Sequence, residues 1–352
     1  MAKIRALIWV QHLLGIGHLR RAAALARALA EREFDVLLVS GGMPLQGLDL
    51  GAAKFEQLRP LRATDATFSI TVDDNGEAPD SAFHAARRDR LINLYRGHRP
   101  QVIVTEMYPF GRRQFGAELL PLFEAAHHTR PKPAIFASVR DILTERGDPA
   151  RNSEMARLAL RWYRAVLVHG DPELIPFEAS FPEAARISHL IRYTGYIGAV
   201  NPGRPYSASG EVIVSAGGGA VGAHLLQTAL AARKLSALAD RRWRLLAGPN
   251  LPAEWFDTLK RLSHDGTVLE RTRNDFQALL KAAALSISQA GYNTVLDVVS
   301  TRVRAVLVPF ATQGETEQTV RAERMAVAGL AQVVREDGMT PERLAAAVDI
   351  AW

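Results

Sequence analysis

Two doubly wound, parallel-sheet α/β domains are what this 352-residue sequence predicts, and three observations carry that expectation. Short apolar runs rich in Val, Ile and Leu alternate with helical patterns from end to end, as they do when strands are buried on both faces between crossover helices. That rhythm breaks once, at NPGRPYSASG (201–210), a stretch of Pro, Gly and Ser with little to bury. Each half then opens the same way, with a strand, a glycine loop and a helix. The expected division is residues 1–200, a linker over 201–210, and residues 211–352, each half a usual domain size.

The elements follow in order. The first strand is IRALIWV (4–10), followed by the glycine loop GIGHLRR (15–21) and the amphipathic helix LRRAAALARALAER (19–32). Strands FDVLLVS (34–40), QVIVTEM (101–107), AIFASV (134–139) and AVLVHG (165–170) complete the first half. After the linker come EVIVSAG (211–217), the second glycine loop SAGGGAVGAHLL (215–226), RWRLLAG (242–248), TVLE (267–270), ALSIS (284–288) and RAVLVPF (304–310). The apolar N-terminus could pass for a leader. Gln11, His12 and a glycine turn running straight into a helix identify a first buried strand instead.

Composition narrows the function classes. Apolar residues make up 48% and the formal net charge is +6, which favours anionic partners such as nucleotides and lipid surfaces. An Arg-rich surface of no functional meaning explains the charge equally well. With no cysteine, thiolate metal sites and cysteine nucleophiles are excluded. No run of 18 uninterrupted apolar residues occurs, so no membrane span is expected. The expected location is cytoplasmic, with the inner membrane face open as a place of peripheral attachment. A basic nucleic-acid module is the rival from another class. Aromatics are only 7% and neither a recognition helix nor aromatic–basic interleaving is present, so no nucleic-acid partner is expected.

The segment from Ser288 to Ala322, SQAGYNTVLDVVSTRVRAVLVPFATQGETEQTVRA, carries the most chemistry. Strand ALSIS stops at a turn ending in Gly291, after which Asn293 and Thr294 offer oxygens to cap the amides of a new helix. Asp297 falls within that helix, and ATQGETEQ sets Glu317 and Gln318 at the start of another. Positive helix ends suit a diphosphate and carboxylates suit vicinal hydroxyls, which together describe a nucleotide-sugar pocket. The second glycine loop also contains Gly217-x-Gly219-x-x-Gly222, formally a dinucleotide fingerprint. It lies in the second half, however, and no acidic residue ends the following strand to hold a ribose, which argues against a dehydrogenase.

This segment resembles the donor-binding region of glycosyltransferase family 28, and the glycine loops of both halves match that family in position and spacing. The resemblance is strong over about residues 211–335 and collinear over 1–200. It implies a GT-B architecture, two Rossmann-like domains facing a central cleft, with the donor bound by the second and the acceptor by the first. It implies that Asp297 holds the ribose of a uridine nucleotide and that Glu317 and Gln318 hold the hydroxyls of the donor sugar. Here the pair reads Glu-Gln where the family has Gln-Gln. Gly17, Gly218, Gly219, Gly291, Asn293 and Thr294 complete the expected donor contacts.

His18 is the histidine that the family places after its first glycine pair, a candidate base, a phosphate contact or simply a packed loop residue. An inverting transfer needs a group to accept the acceptor hydroxyl's proton, and imidazole titrates in the right range. Asp141 is the second candidate base. Arg112, Arg113 and Arg140 suit an anionic acceptor, or form a salt-bridged rim. Asp297 could equally complement a helix dipole, and Glu317 with Gln318 could be a solvated helix start. The expected activity is metal-independent, inverting transfer of a sugar from a nucleotide sugar, UDP-linked by expectation, to an acceptor that is a small molecule, a glycan or lipid-linked. No cofactor beyond that co-substrate is expected, and a nucleotide-sugar hydrolase or epimerase is the same-fold alternative.

Overall fold

The computed structural model describes residues 3–64, 70–143, 148–198, 210–217, 222–248, 251–271, 273, 275–310 and 316–352. The chain divides into two compact units, residues 1–143 with 147–199, and residues 144–146 with 200–352. All of the expected linker except Gly210 lies outside the described residues.

The first unit contains β1 (Ile4–Val10), β2 (Phe34–Ser40), β3 (Lys54–Gln57), β4 (Arg62–Ala63), β5 (Thr71–Val72), β6 (Val102–Glu106), β7 (Ala134–Arg140), β8 (Ala165–His169) and β9 (Ile191–Tyr193). Its main sheet is parallel and ordered β3-β2-β1-β6-β7-β8-β9, while β4 and β5 form an antiparallel ribbon. Helices α1 (Gly17–Ala30), α2 (Ser81–His98), α3 (Gly116–His128) and α4 (Pro149–Trp162) accompany these strands. Alternation along β1 fills two cores: Leu7 and Trp9 pack on one side, and Ala6, Ile8 and Val10 on the other. Capping chemistry sets helix starts. Asp80 accepts from the Phe83 amide at 2.7 Å to open α2, and Asp148 precedes Pro149 at the first position of α4.

The second unit contains β10 (Val212–Ser215), β11 (Trp243–Ala247), β12 (Thr267–Arg271), β13 (Leu285–Ser288), β14 (Ala305–Leu307) and β15 (Gln332–Val333), all parallel in the order β12-β11-β10-β13-β14-β15. Its helices are α5 (Ala223–Ala232), α6 (Ala253–Leu262), α7 (Phe276–Ala282), α8 (Tyr292–Thr301), α9 (Glu317–Val327) and α10 (Pro341–Ala351). Among the described residues no helix is long and apolar enough to cross a membrane.

Every strand named from the sequence is present, several trimmed at an end. QVIVTEM stops at Glu106 because Met107 turns into the left-handed region at φ 68°. The ribbon and the short strands β3, β9 and β15 escape a pattern search, since KFEQ, IRY and QV hold no apolar run. They are recruited through backbone pairing to a neighbouring strand. Strand order reverses at β1/β6 in the first unit and at β10/β13 in the second. Open α/β sheets bind ligands beyond the carboxyl ends of strands at such reversals.

Candidate functional site

At the β1/β6 reversal, α1 begins on Gly17, within the first glycine loop, and His18 is its second residue. Glu106 ends β6 beside it. The His18 Nδ1 lies 3.0 Å from Glu106 Oε1, and Arg21, one turn on along α1, forms an ion pair with the same oxygen. Ser138, at the end of β7, donates from Oγ to Glu106 Oε2 at 2.5 Å. A carboxylate only accepts, so the Glu106 contact calls for the imidazole proton on Nδ1. Arg21 Nη2, a donor 3.1 Å from the same nitrogen, opposes it, but its ion pair with Glu106 satisfies the guanidinium, and the Nδ1–H tautomer with a lone pair on Nε2 is the better-satisfied arrangement. The His18 side chain is 16% exposed, against 1% for Glu106.

Charge states follow from burial and neighbours. Burial pulls the His18 imidazole down to about 3, with the Glu106 hydrogen bond acting upward and Arg112 and Arg21 acting downward. His18 is therefore neutral at physiological pH. Burial raises Glu106, but Arg21, His18 and Ser138 outweigh it and hold the carboxyl below its ordinary range.

The arginines expected to meet an acceptor separate. Arg112 sits at φ 60° and donates from Nε to the Gln11 carbonyl at 2.7 Å, which brings its charge close enough to act on His18. Arg113 is exposed and lies 3.5 Å from Glu154 on α4. Arg140 ends β7 in register with His169. Asp141, the second candidate base, is fully buried, and its Oδ1 accepts from the Ile142 amide at 2.9 Å.

At the β10/β13 reversal the second glycine loop leaves β10. Gly217 has φ 69° and Gly222 φ 110°, and a Cβ on Gly222 would stand 2.4 Å from that of Ala216. Gly218 and Gly219 lie outside the described residues. Gly291 is different: it is the N-cap of α8 at φ −63°, and a Cβ there would meet nothing within 4 Å. The cap expected from Asn293 and Thr294 is corrected. The helix already starts at Tyr292, so both are inside its first turn and no side chain caps it. Asn293 is exposed and Thr294 half-buried. Asp297 is the sixth residue of α8, and its Oδ1 accepts from Gln277 Nε2 of α7 at 2.6 Å.

Glu317 and Gln318 do begin α9, and both are engaged within the protein. Gln318 Oε1 accepts from the Ala290 amide at 3.0 Å and the Phe310 amide at 3.1 Å. Glu317 is buried against Arg321 at 2.8 Å, and Arg321 Nη1 donates to the Ala290 carbonyl at 2.9 Å. The first two turns of α9 thus clamp both polar groups of Ala290, the residue before the α8 N-cap. Sequence reasoning missed Arg321, although its i,i+4 spacing from Glu317 was visible. It also missed Glu106 as the partner of His18, because that contact spans 88 positions.

Known proteins place this arrangement in a class. Over 99% of the chain and 90% of the other, the structure is similar to that of CalG4, the calicheamicin glycosyltransferase, with a TM-score of 0.65 at 17% identity. It is similar to that of Acinetobacter baumannii MurG with a TM-score of 0.62 at 16% identity, over 98% of the chain and 90% of the other. The fold is therefore that of the GT-B glycosyltransferases. Residues 213–351 match the glycosyltransferase family 28 C-terminal domain. Among curated proteins, a UDP-N-acetylglucosamine–N-acetylmuramyl-(pentapeptide) pyrophosphoryl-undecaprenol N-acetylglucosamine transferase of Paramagnetospirillum magneticum is 27% identical over 191 residues, 53% of this chain and 49% of its own length. The protein of that name from Brucella anthropi is 34% identical over 133 residues, 36% and 35% of the two chains. The chain thus spans about half or less of the length of the curated relatives it matches.

Proposed function

We propose that this protein transfers a sugar from a nucleoside diphosphate sugar to an acceptor hydroxyl, with inversion and without a metal ion. The observation that carries this reading is His18. It is a neutral imidazole at a strand-order reversal, with Nδ1 facing Glu106 and the lone pair on Nε2. In the proposed reaction Nε2 takes the acceptor's hydroxyl proton while that oxygen attacks the anomeric carbon. The bond from that carbon to the diphosphate oxygen breaks, and the diphosphate departs with the electron pair. The α5 and α8 N-termini present free amides to it, and Gly291 leaves room for close approach.

In this reading the second unit holds the donor, with Asp297 on the ribose and Glu317 and Gln318 toward the sugar. The first unit holds the acceptor, with Arg112 and Arg140 favouring an anionic group on it. The relatives' names specify a UDP-linked donor and a lipid-linked acceptor, which supports a UDP sugar here and peripheral attachment at a membrane surface. The test is turnover of a panel of UDP- and TDP-sugars with candidate acceptors, followed by the anomeric configuration of the product. Transfer with inversion is the expected result. Free sugar released equally with and without acceptor would replace the reading by a nucleotide-sugar hydrolase, and turnover of none of the donors would overturn it.

A further inference from the structure

Behind the His18–Glu106 pair a polar seam runs on across the carboxyl ends of three adjacent strands. Ser138 pairs in register with Glu106, and its Oγ donates to Oε2 at 2.5 Å. A hydroxyl has one proton, so Ser138 must accept from its other partner, His169 Nε2 at 2.8 Å. Burial brings His169 down to about 4, so the ring is neutral, with its proton on Nε2 and Nδ1 accepting. Thr194 Oγ1 lies 2.7 Å from that Nδ1, and the Gly195 carbonyl at 3.0 Å competes for its one proton. Donation therefore runs from His169 to Ser138 to Glu106, where it meets His18 and Arg21 arriving on the other carboxylate oxygen.

Glu106, Ser138 and His169 are each 1% exposed. Polar groups so deep cost stability unless paired, and an apolar trio would hold the strand ends together at least as well. What the seam adds is direction. With Oε2 filled by Ser138, Oε1 is the oxygen left to face His18. We propose that Ser138 and His169 are positioning residues: they fix the Glu106 carboxylate so that the His18 ring is held as its Nδ1–H tautomer, with Nε2 basic. The kinetic meaning of this rests on His18 acting as the base, but the tautomer is a property of the protein alone.

The experiment is long-range proton–nitrogen NMR of the imidazoles in the full chain at pH 7, for the native protein and for Ser138→Ala, His169→Leu and His169→Gln. The native His18 should show one tautomer, protonated at Nδ1. Ser138→Ala and His169→Leu, checked as folded by the dispersion of their amide spectra, should move it to comparable populations of both tautomers. His169→Gln should keep the native pattern, because the glutamine amide still donates to Ser138. Should His169→Leu fail to fold, Ser138→Ala and His169→Gln still read the same seam. An unchanged His18 in folded Ser138→Ala overturns the proposal, as does an Nε2–H tautomer in the native protein. A His169→Gln protein that loses the native pattern removes His169 from the seam. Absence of sugar transfer alongside the expected tautomers would overturn the proposed function and leave the positioning role standing.

Discussion

At His18 one side of the ring is already spoken for: Nδ1–H goes to Glu106, and whatever chemistry the residue performs must use Nε2. If Nε2 takes the acceptor's proton, His18→Ala should lower turnover by about 10²–10⁴-fold while donor affinity holds. Asp141→Asn is the matched control, because Asp141 is buried against its own loop. A near-normal His18→Ala beside an inactive, folded Asp141→Asn would move the base role to Asp141. The buried histidines also set a pH dependence of stability. Between about 6.5 and 3 for His18, and about 6.5 and 4 for His169, the unfolded chain binds a proton that the folded chain does not. Their contribution is intact above about 6.5 and is lost as pH falls through those windows. The urea midpoint should therefore drop from pH 7 to 4, and His169→Gln should flatten part of that slope. A midpoint with the same slope in the variant would show that His169 is protonated in the folded state.

At the scale of elements, two glycines that open helices of the second unit make opposite demands. Gly222→Ala should be strongly destabilising, since it combines φ 110° with a Cβ 2.4 Å from Ala216. Gly291→Ala sits at an ordinary φ in open space, so thermal unfolding should be unchanged while nucleotide affinity falls if a diphosphate approaches that helix end. Unaltered affinity in Gly291→Ala would put the diphosphate elsewhere. The start of α9 couples stability to the proposed donor site. Arg321→Ala leaves the buried Glu317 carboxylate without the guanidinium that faces it and frees the Ala290 carbonyl, a loss of about 3–5 kcal/mol. Asp297→Ala should weaken UDP itself. Glu317→Ala should weaken only the intact sugar nucleotide, by roughly 1–3 kcal/mol. Calorimetry giving equal losses of both ligands in both variants would refute that division.

For the whole molecule, the proposed donor makes a measurable demand. A nucleotide present at about a hundred times its dissociation constant stabilises the fold by about 2.7 kcal/mol. UDP should therefore raise the melting temperature well beyond the effect of adenosine diphosphate, and a flat response to every nucleotide would count against a nucleotide-sugar enzyme. Turnover should also survive a chelator, since the sequence offers no Asp-x-Asp motif and no cysteine. Loss in EDTA restored by magnesium or manganese would show that a metal holds the diphosphate.

The sequence by itself determined the α/β class, the order of the long strands, the glycine loops and the positions of His18, Asp297, Glu317 and Gln318. Those features are local: a buried strand is a run of apolar residues, and a helix start is a glycine turn with polar residues after it. Tertiary structure alone decided how these residues are used. Glu106 reaches His18 only because β6 returns beside β1, and Ser138 and His169 join them only because β7 and β8 follow in the sheet. Arg321 becomes a clamp only when α9 packs against the β13–α8 turn. Periodicity along a chain records which face of an element is buried. It does not record which strand lies next door, and the hydrogen bonds that fix a tautomer or fill a carboxylate are made between strands far apart in sequence.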